Sequence, residues 1–305
     1  MKDGALAYAQ QPIDAQTLPR FERVLFPTDF SGTSLSALPL ATSVARGFKS
    51  ELKLLHVLLP ADYVFTVPEI APDVSGLMER DASAHLLALK YSDQLHDVKV
   101  GIPEVFKGGL GQLPRKIAAD DIDLIVMATH GSRGFRHWLL GSVAEDVIHS
   151  AGCPVLTLGP HGKAANDSEF RPNHILFATD ASADSFRALP YAIQFAQRQC
   201  SDLALVHVLS HKHQGTPEAE AFAALMRDGL HRALPLTAIK HCSPEIVVTF
   251  GNPVEEILNA ARERGSELIV MGARSSTKRS TFSHSVSYGV ISRATCPVLT
   301  IRGAC

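Results

Sequence analysis

The sequence predicts an α/β protein with two tandem, doubly wound domains, each built on a five-stranded parallel sheet. The first observation is an internal repeat. At a constant offset of 151, the 38 residues from Phe21 align without a gap on those from Pro172, and 17 pairs are identical. Asp29 thereby falls on Asp180. The second observation is that apolar runs alternate with helical patterns, which is typical of a parallel sheet covered by helices on both faces. Right-handed crossovers then produce a doubly wound fold.

Five short apolar runs in the first half predict its strands. Runs of this kind are typical of strands buried on both faces. Pro103 interrupts the third run, because proline cannot donate a ladder hydrogen bond. The predicted strands are Arg23–Thr28, Glu51–Leu58, Val98–Phe106, Asp123–Thr129 and Pro154–Leu158. The second half repeats this order.

Helices are predicted between these strands. Ser31 opens a turn rich in hydroxyl groups, which can cap a helix. Leu38, Ala41 and Val44 then follow at helical spacing on one face. The proline-bearing segment Leu59–Ser75 is predicted to be a loop. The predicted helices are Leu35–Phe48, Gly76–Leu95, Leu113–Ala119 and Ser142–Ser150.

Length and composition indicate two globular domains. The chain has 305 residues, of which 46% are hydrophobic and 20% charged. Halves of about 140–150 residues are large enough to bury a core each. Residues 1–20 are predicted to be a flexible tail, 21–160 the first domain, 161–171 a linker and 172–305 the second domain.

Composition also excludes several classes of function. A net charge of −2 argues against a dedicated nucleic-acid binder, which should show a basic face. No apolar run approaches the roughly 18 residues needed to span a bilayer. The N-terminus lacks the apolar core of a signal peptide, so we expect a cytoplasmic protein. The five cysteines show no metal-binding spacing, and no metal site is expected.

The carboxyl ends of the predicted strands mark the candidate site, because ligands of doubly wound folds bind beyond these ends. The segments that lie there are Pro27 to Asp29, His56 to Val57, and Ala128 to Gly131.

The segment Met127–Val143, MATHGSRGFRHWLLGSV, carries the most specific motif. Gly131 and Gly134 permit a tight turn and a close approach of the backbone to a ligand. Gly141 and Ser142 open a helix, whose first N–H groups and dipole suit a phosphate. The segment lacks the GK[ST] of a P-loop and does not follow the first strand. Neither a P-loop nor a dinucleotide fingerprint is therefore predicted.

These segments resemble those of the universal stress protein A family. The opening LFPTDFS, the second strand LLHVL and the ending VMATHG…GSV…CPVLTL carry the resemblance. It extends over both halves and implies a Rossmann-like fold, similar to adenine nucleotide alpha hydrolases, for each. In the ATP-binding branch of the family the loop has the pattern G-x2-G-x9-G-[ST]. The first half matches this pattern except that Ala128 replaces the first glycine.

The resemblance implies an adenine-nucleotide site in the first half, for ATP together with Mg²⁺. Asp29 would contact the ribose, Val57 would line the adenine pocket, and the glycine-rich loop would hold the phosphates. These residues also have plain structural interpretations. Asp29 could cap the following helix, Val57 could be a core residue, and the glycines could be turn residues. The candidate binding residues are Pro27, Thr28, Asp29, Val57, Met127, Ala128, His130, Gly131, Arg133, Gly134, Gly141, Ser142 and Val143.

The second half departs from this pattern. At the positions that align with Gly131 and Gly141, the second half has Ser275 and His284, and its loop is one residue shorter. Side chains at these positions add bulk where the backbone must approach phosphate. We expect this site to be degenerate, or to bind a different anion with the help of Arg274. Its candidate residues are Ala178, Thr179, Asp180, Val208, Gly272, Arg274, Ser275, Ser285 and Val286.

No catalytic set is evident in the sequence, which shows neither a nucleophile elbow nor paired carboxylates at a useful spacing. We therefore expect a stress-response regulator that binds ATP and switches regulatory protein partners, rather than an enzyme. A slow ATPase or phosphotransferase and a dimerisation module that binds no nucleotide are the alternatives. The chain is expected to form a homodimer and to have neither nucleic-acid nor membrane partners.

Overall fold

The computed structural model describes residues 18–59, 74–129, 142–163, 169–211, 214–234, 244–273 and 285–302. By its internal contacts the chain divides into two compact units, Arg20–Phe170 and the part that begins at Arg171.

The first unit alternates strands with helices, as its sequence pattern predicts. Its strands are β1 (Arg23–Pro27), β2 (Glu51–Leu58), β3 (Glu104–Lys107), β4 (Leu124–Ala128) and β5 (Val155–Leu158). Its α-helices are α1 (Gly32–Leu35), α2 (Leu38–Phe48), α3 (Val74–Lys90), α4 (Leu113–Ala119) and α5 (Ser142–Ser150).

The described strands of the first unit form a parallel sheet in the order β3-β2-β1-β4-β5. In this sheet Val24 of β1 lies between Leu52 of β2 and Leu124 of β4. The chain winds in one direction from β1 to β3 and in the other from β4 to β5, so the winding reverses between β1 and β4. Such a reversal leaves a crevice beyond the strand ends, where ligands of this fold class bind.

Pro39 explains a difference between the predicted and the observed helices. The segment Leu35–Phe48 is not one helix, because α1 and α2 are separated by a turn at Ser36 and Ala37. Pro39 has no N–H to donate to the carbonyl of Leu35, four residues earlier, so a continuous helix would lose that bond.

Two further elements differ from the prediction by several residues, whereas β1, β4 and β5 differ only by one residue at one or both ends. β3 begins only at Glu104, after Pro103, and the preceding residues contribute an isolated bridge between Val100 and Leu52. The helix predicted to reach Leu95 ends at Lys90 and is followed by a 3-10 turn. Most of the loop predicted before this helix lies outside the described residues.

The second unit repeats the architecture. Its strands are β6 (His174–Thr179), β7 (Asp202–Leu209), β8 (Glu245–Phe250), β9 (Leu268–Ala273) and β10 (Val298–Arg302). Its α-helices are α6 (Ala183–Phe186), α7 (Leu189–Gln199), α8 (Pro217–Ala233), α9 (Pro253–Glu263) and α10 (Val286–Arg293). These strands form a parallel sheet in the order β8-β7-β6-β9-β10, with the switch point between β6 and β9.

The central strands supply the core of each unit. Val24 and Phe26 of β1 and Phe177 of β6 are completely buried, as are Ile125 of β4 and Ile269 of β9. Burial of these apolar side chains is the main favourable contribution to folding. None of the described helices is long and apolar enough to cross a membrane.

Candidate functional site

The candidate site of the first unit lies at the switch point. Thr28 and Asp29 directly follow β1, and Ala128 is the last residue of β4, the neighbouring strand. The backbone N–H of Thr28 donates to the carbonyl of Leu55 at 2.9 Å, so the pairing with β2 continues past the end of β1. The Thr28 side chain is buried and Asp29 is exposed. The fold therefore presents the Asp29 carboxylate to solvent beside the end of β4.

The loop that follows β1 holds the Asp29 carboxylate. Its Oδ1 atom accepts hydrogen bonds from both the N–H of Ser31, at 3.0 Å, and the O–H of Ser31, at 2.6 Å. Ser31 Oγ in turn accepts the N–H of Ser34 at 3.0 Å. Ser31 is thus the N-cap residue of α1, and the alternative interpretation of Asp29 as the cap does not hold.

A buried pair of hydroxyl groups supports this loop from below. Thr28 Oγ1 accepts the N–H of Phe30 at 3.0 Å and lies 2.9 Å from Ser34 Oγ. The O–H of Ser34 donates to the carbonyl of Ser31 at 3.1 Å. Because a hydroxyl has one proton to donate, Thr28 must be the donor to Ser34. The buried polar groups of this turn therefore satisfy one another.

The second unit contains the same network. The N–H and the O–H of Ser182 donate to Asp180 Oδ1, at 3.0 and 2.5 Å, and Ser182 caps α6. Thr179 Oγ1 and Ser185 Oγ lie 2.7 Å apart and are buried. The turn after the first strand is therefore a property of the repeated unit, whether or not the unit binds a ligand.

Imidazole and phenyl rings surround the Asp29 loop in the first unit. His56 Nδ1, on β2, lies 2.8 Å from the carbonyl oxygen of Thr28, so this nitrogen carries the proton. The Phe30 ring stacks on His56 with a centroid distance of 4.8 Å and contacts His85 of α3 at 5.2 Å. Phe30 has a φ of 63°, which an aromatic residue rarely adopts. These ring contacts join the loop to β2 and α3.

The second unit has an apolar cluster at the aligned position. Ala181, which aligns with Phe30, is buried in an apolar cluster that includes Met226 of α8. His207 keeps the bond from Nδ1 to the carbonyl of Thr179, at 2.9 Å, but it is buried. Burial lowers the pKa of His207, although the Thr179 carbonyl acts in the opposite direction.

The two units also differ where their fourth strands end. A Cβ on Gly272, in β9, would lie 2.6 Å from Cα of Ser185 and 2.9 Å from the carbonyl oxygen of Asp184. The backbone of α6 therefore packs directly on the end of β9. In the first unit Ala128 occupies the aligned position. The choice of glycine or alanine at this position therefore affects packing against the neighbouring helix as well as loop flexibility.

The predicted site residues are only partly described. Pro27, Thr28, Met127, Ala128, Ala178 and Thr179 are buried, Asp29 and Asp180 are exposed, and Val57 and Val208 are half-buried. His130, Gly131, Arg133, Gly134, Gly141, Arg274 and Ser275 lie outside the described residues, as do the side chains of Ser142 and Val143. The assignment of the phosphate loop stays a prediction.

The helix that follows the loop of the second unit begins where the sequence predicts a phosphate contact. Ser285 is the N-cap of α10, and its Oγ accepts the N–H of Tyr288 at 3.1 Å. Val286, the first residue of α10, is exposed. The hydroxyl of Ser285 thus has a structural role as a helix cap.

Two buried thiols lie ahead of the last strands. Burial raises the pKa of Cys153 and of Cys296 to about 12, so both thiols are protonated at neutral pH and are poor nucleophiles. In the described parts of the chain, no three His, Cys, Asp or Glu side chains are placed to hold a metal ion.

Sequence reasoning predicted that the turn at Ser31 can cap a helix. It missed the hydrogen bonds from Ser31 to Asp29 and the roles of Ser34 and Phe30. The spacing of Ser31 and Ser34 is that of an N-cap and the third helical position, and it recurs at Ser182 and Ser185. This recurrence was the sequence signal from which the shared turn could have been predicted. The ring stack of Phe30 joins residues far apart in the chain, and no local pattern indicates it.

Comparison with known proteins decides the family. The model of the universal stress protein family matches residues 20–158 and again residues 172–302. The chain belongs to this family. The two matches make it a tandem universal stress protein, as the internal repeat predicts.

Curated relatives match a single half of the chain. The universal stress protein YxiE of Bacillus subtilis is 34% identical over 146 residues, which cover 43% of this chain and 99% of YxiE. The universal stress protein MJ0531 of Methanocaldococcus jannaschii is 30% identical over 139 residues, which cover 45% of this chain and 82% of that protein.

A solved structure matches most of the chain. The universal stress protein from Archaeoglobus fulgidus superposes with a TM-score of 0.66 over 92% of this chain and 96% of its own, at 21% identity. At this identity the likeness shows a shared fold and does not define a ligand.

Proposed function

We propose that the first unit binds ATP or a related adenine nucleotide together with Mg²⁺, and that the protein acts as a nucleotide-dependent regulator in a stress response. The observation that carries this proposal is the position of Asp29. Its exposed carboxylate is held by Ser31 at the switch point, beside the end of β4. The segment that matches the nucleotide-binding pattern begins at the end of the same strand.

The residues at this edge have the chemistry that a nucleotide requires. An ionised carboxylate accepts hydrogen bonds from ribose hydroxyl groups. The half-buried Val57 offers an apolar surface to a base. α5 begins at Ser142, and the N–H groups and dipole of a helix N-terminus favour phosphate. A bound Mg²⁺ would neutralise part of the phosphate charge.

We propose that the second unit binds the nucleotide weakly or not at all. Its Asp180 turn has the same geometry as the Asp29 turn. The difference lies in the loop, where Ser275 and His284 replace glycines. The backbone cannot approach a phosphate as closely when a side chain stands at these positions.

Catalysis is not part of the proposed function. The thiols of Cys153 and Cys296 are protonated at neutral pH, and no catalytic set is evident in the sequence. From the sequence we also propose that the protein forms a homodimer, is located in the cytoplasm and has regulatory protein partners.

Calorimetric titration of the full chain with ATP and Mg²⁺ tests the proposal. Gly141→Gln should abolish binding, because the side chain would fill the space that the phosphates need. The matched variant His284→Gln, at the aligned position of the second unit, should bind ATP like the wild type. Equal affinity of Gly141→Gln and the wild type would refute the phosphate assignment. Phosphate release measured in the same samples would reveal any ATPase activity.

A further inference from the structure

Ser31 connects the Asp29 carboxylate with helix α1. Its O–H donates a hydrogen bond to Asp29 Oδ1 at 2.6 Å, and its Oγ accepts one from the N–H of Ser34 at 3.0 Å. Its own N–H also donates to Asp29 Oδ1, at 3.0 Å. One oxygen of the carboxylate is thus fixed by two donors from a single residue.

This arrangement restricts the rotation of the carboxylate. An exposed aspartate normally samples several rotamers, and holding it in one of them costs conformational entropy. Two hydrogen bonds to a charged oxygen are strong enough to offset that cost, since bonds to ionised groups are about twice as strong as neutral ones. The carboxylate is therefore ordered before any ligand arrives, which reduces the entropic cost of binding.

The same geometry recurs in the second unit. Ser182 makes the same bonds to Asp180 and to the N–H of Ser185. In both units, therefore, a serine hydroxyl donates to the carboxylate of the first turn.

We propose that Ser31 is a positioning residue of the nucleotide site, which orients Asp29 toward the ligand and does not itself contact it. This inference rests on the proposed function, since it requires that Asp29 contacts the nucleotide. Ser31 acts through its O–H donor, whereas capping of α1 requires only its oxygen as an acceptor. The two roles can therefore be separated by substitution.

The test is the dissociation constant of ATP in the presence of Mg²⁺, measured by calorimetry on the full chain, together with the melting temperature of each variant. Ser31→Ala should weaken binding by about tenfold, a typical loss for a hydrogen bond to a charged group. Ser31→Thr keeps the hydroxyl and should restore the wild-type affinity. Ser31→Gly has no hydroxyl to donate, but glycine is tolerated at an N-cap nearly as well as serine, so it should retain most of the melting temperature and lose affinity.

Ser182→Ala is the matched control. It removes the same cap and the same bonds from the second unit, and should lower the melting temperature like Ser31→Ala while leaving the affinity for ATP unchanged. Wild-type affinity of Ser31→Ala, or loss of affinity in Ser182→Ala as well, would overturn the positioning role.

Asp29→Ala distinguishes this inference from the function on which it rests. If Asp29→Ala loses affinity and Ser31→Ala does not, the nucleotide site stands and only the role of Ser31 is refuted. If Asp29→Ala binds ATP like the wild type, the assignment of the nucleotide site is wrong and the inference falls with it.

Discussion

A methyl group on Gly272 would lie 2.6 Å from Cα of Ser185, a distance that carbon atoms in folded proteins do not reach. The atom in the way belongs to the backbone of α6 and cannot rotate aside. Gly272 is therefore required by packing within the second unit, independently of any ligand. The aligned residue of the first unit is Ala128, which carries the methyl group that Gly272 lacks.

We expect Gly272→Ala to destabilise the protein by about 1–3 kcal/mol, the usual cost of overpacking a tight contact. Thermal melting followed by circular dichroism measures the effect. Gly152→Ala is the control, because a Cβ there meets no atom within 4 Å, and it should leave the melting temperature nearly unchanged. Equal melting temperatures for the two variants would contradict the packing argument.

The residues that directly follow two equivalent helices have left-handed backbone conformations. Lys49 follows α2 with a φ of 57°, and Cys200 follows α7 with a φ of 55°. Glycine adopts this conformation without the penalty of about 1–2 kcal/mol that a Cβ incurs. Lys49→Gly and Cys200→Gly should therefore each stabilise the protein by several tenths of a kcal/mol to about 1 kcal/mol. Denaturant titration checks the sign, and Lys49→Val should have the opposite effect.

His207 should make the stability of the second unit depend on pH. Its pKa in the folded protein is lowered below 6.5 by burial, so the unfolded chain takes up the proton at a higher pH than the folded one. The stabilisation is then complete above pH 6.5 and is lost as the pH falls through the folded pKa.

The variant His207→Gln has no proton to bind and should lose less stability than the wild type between about pH 7.5 and about pH 5. Urea unfolding at intervals across this range measures both slopes. Identical slopes would show that His207 does not contribute to the pH dependence.

We expect one nucleotide per chain, bound in the first unit. The second loop carries side chains where the first has glycine, whereas the Asp turns of the two units are equivalent. Equilibrium titration with ATP determines the number of sites, and Asp29→Ala compared with Asp180→Ala locates them. Two equivalent sites, or a loss caused only by Asp180→Ala, would contradict the expected asymmetry.

Most element positions could be predicted because they depend on local sequence. β2, α4 and α5 have the predicted bounds, since apolar periodicity and capping residues are read within a short window. Two of the three larger errors arose where a proline acts within such a window; the third, the helix that ends at Lys90 instead of Leu95, involves no proline. Pro39 divides a helix and Pro103 shortens a strand, and in both cases the missing N–H decides the outcome.

The candidate site was predictable to a smaller extent. The strand-end position of Asp29 follows from the alternation of strands and helices together with the general rule for doubly wound folds. Its orientation by Ser31 depends on the conformation of the turn, and the ring contacts of Phe30 depend on residues from β2 and α3.

The sequence by itself determined that the chain is a duplicated α/β unit, because repetition and periodicity are properties of residue order, and the resemblance of its motifs indicated the universal stress protein family. Only the tertiary structure decided which strands adjoin at the switch point, that Ser31 rather than Asp29 caps α1, and that Gly272 must be glycine. The strand order and the Gly272 contact depend on distances between segments that are remote in the chain, and such distances exist only after the sheet and its helices have packed. The cap depends on the backbone conformation of a local turn, which the residue types alone leave open.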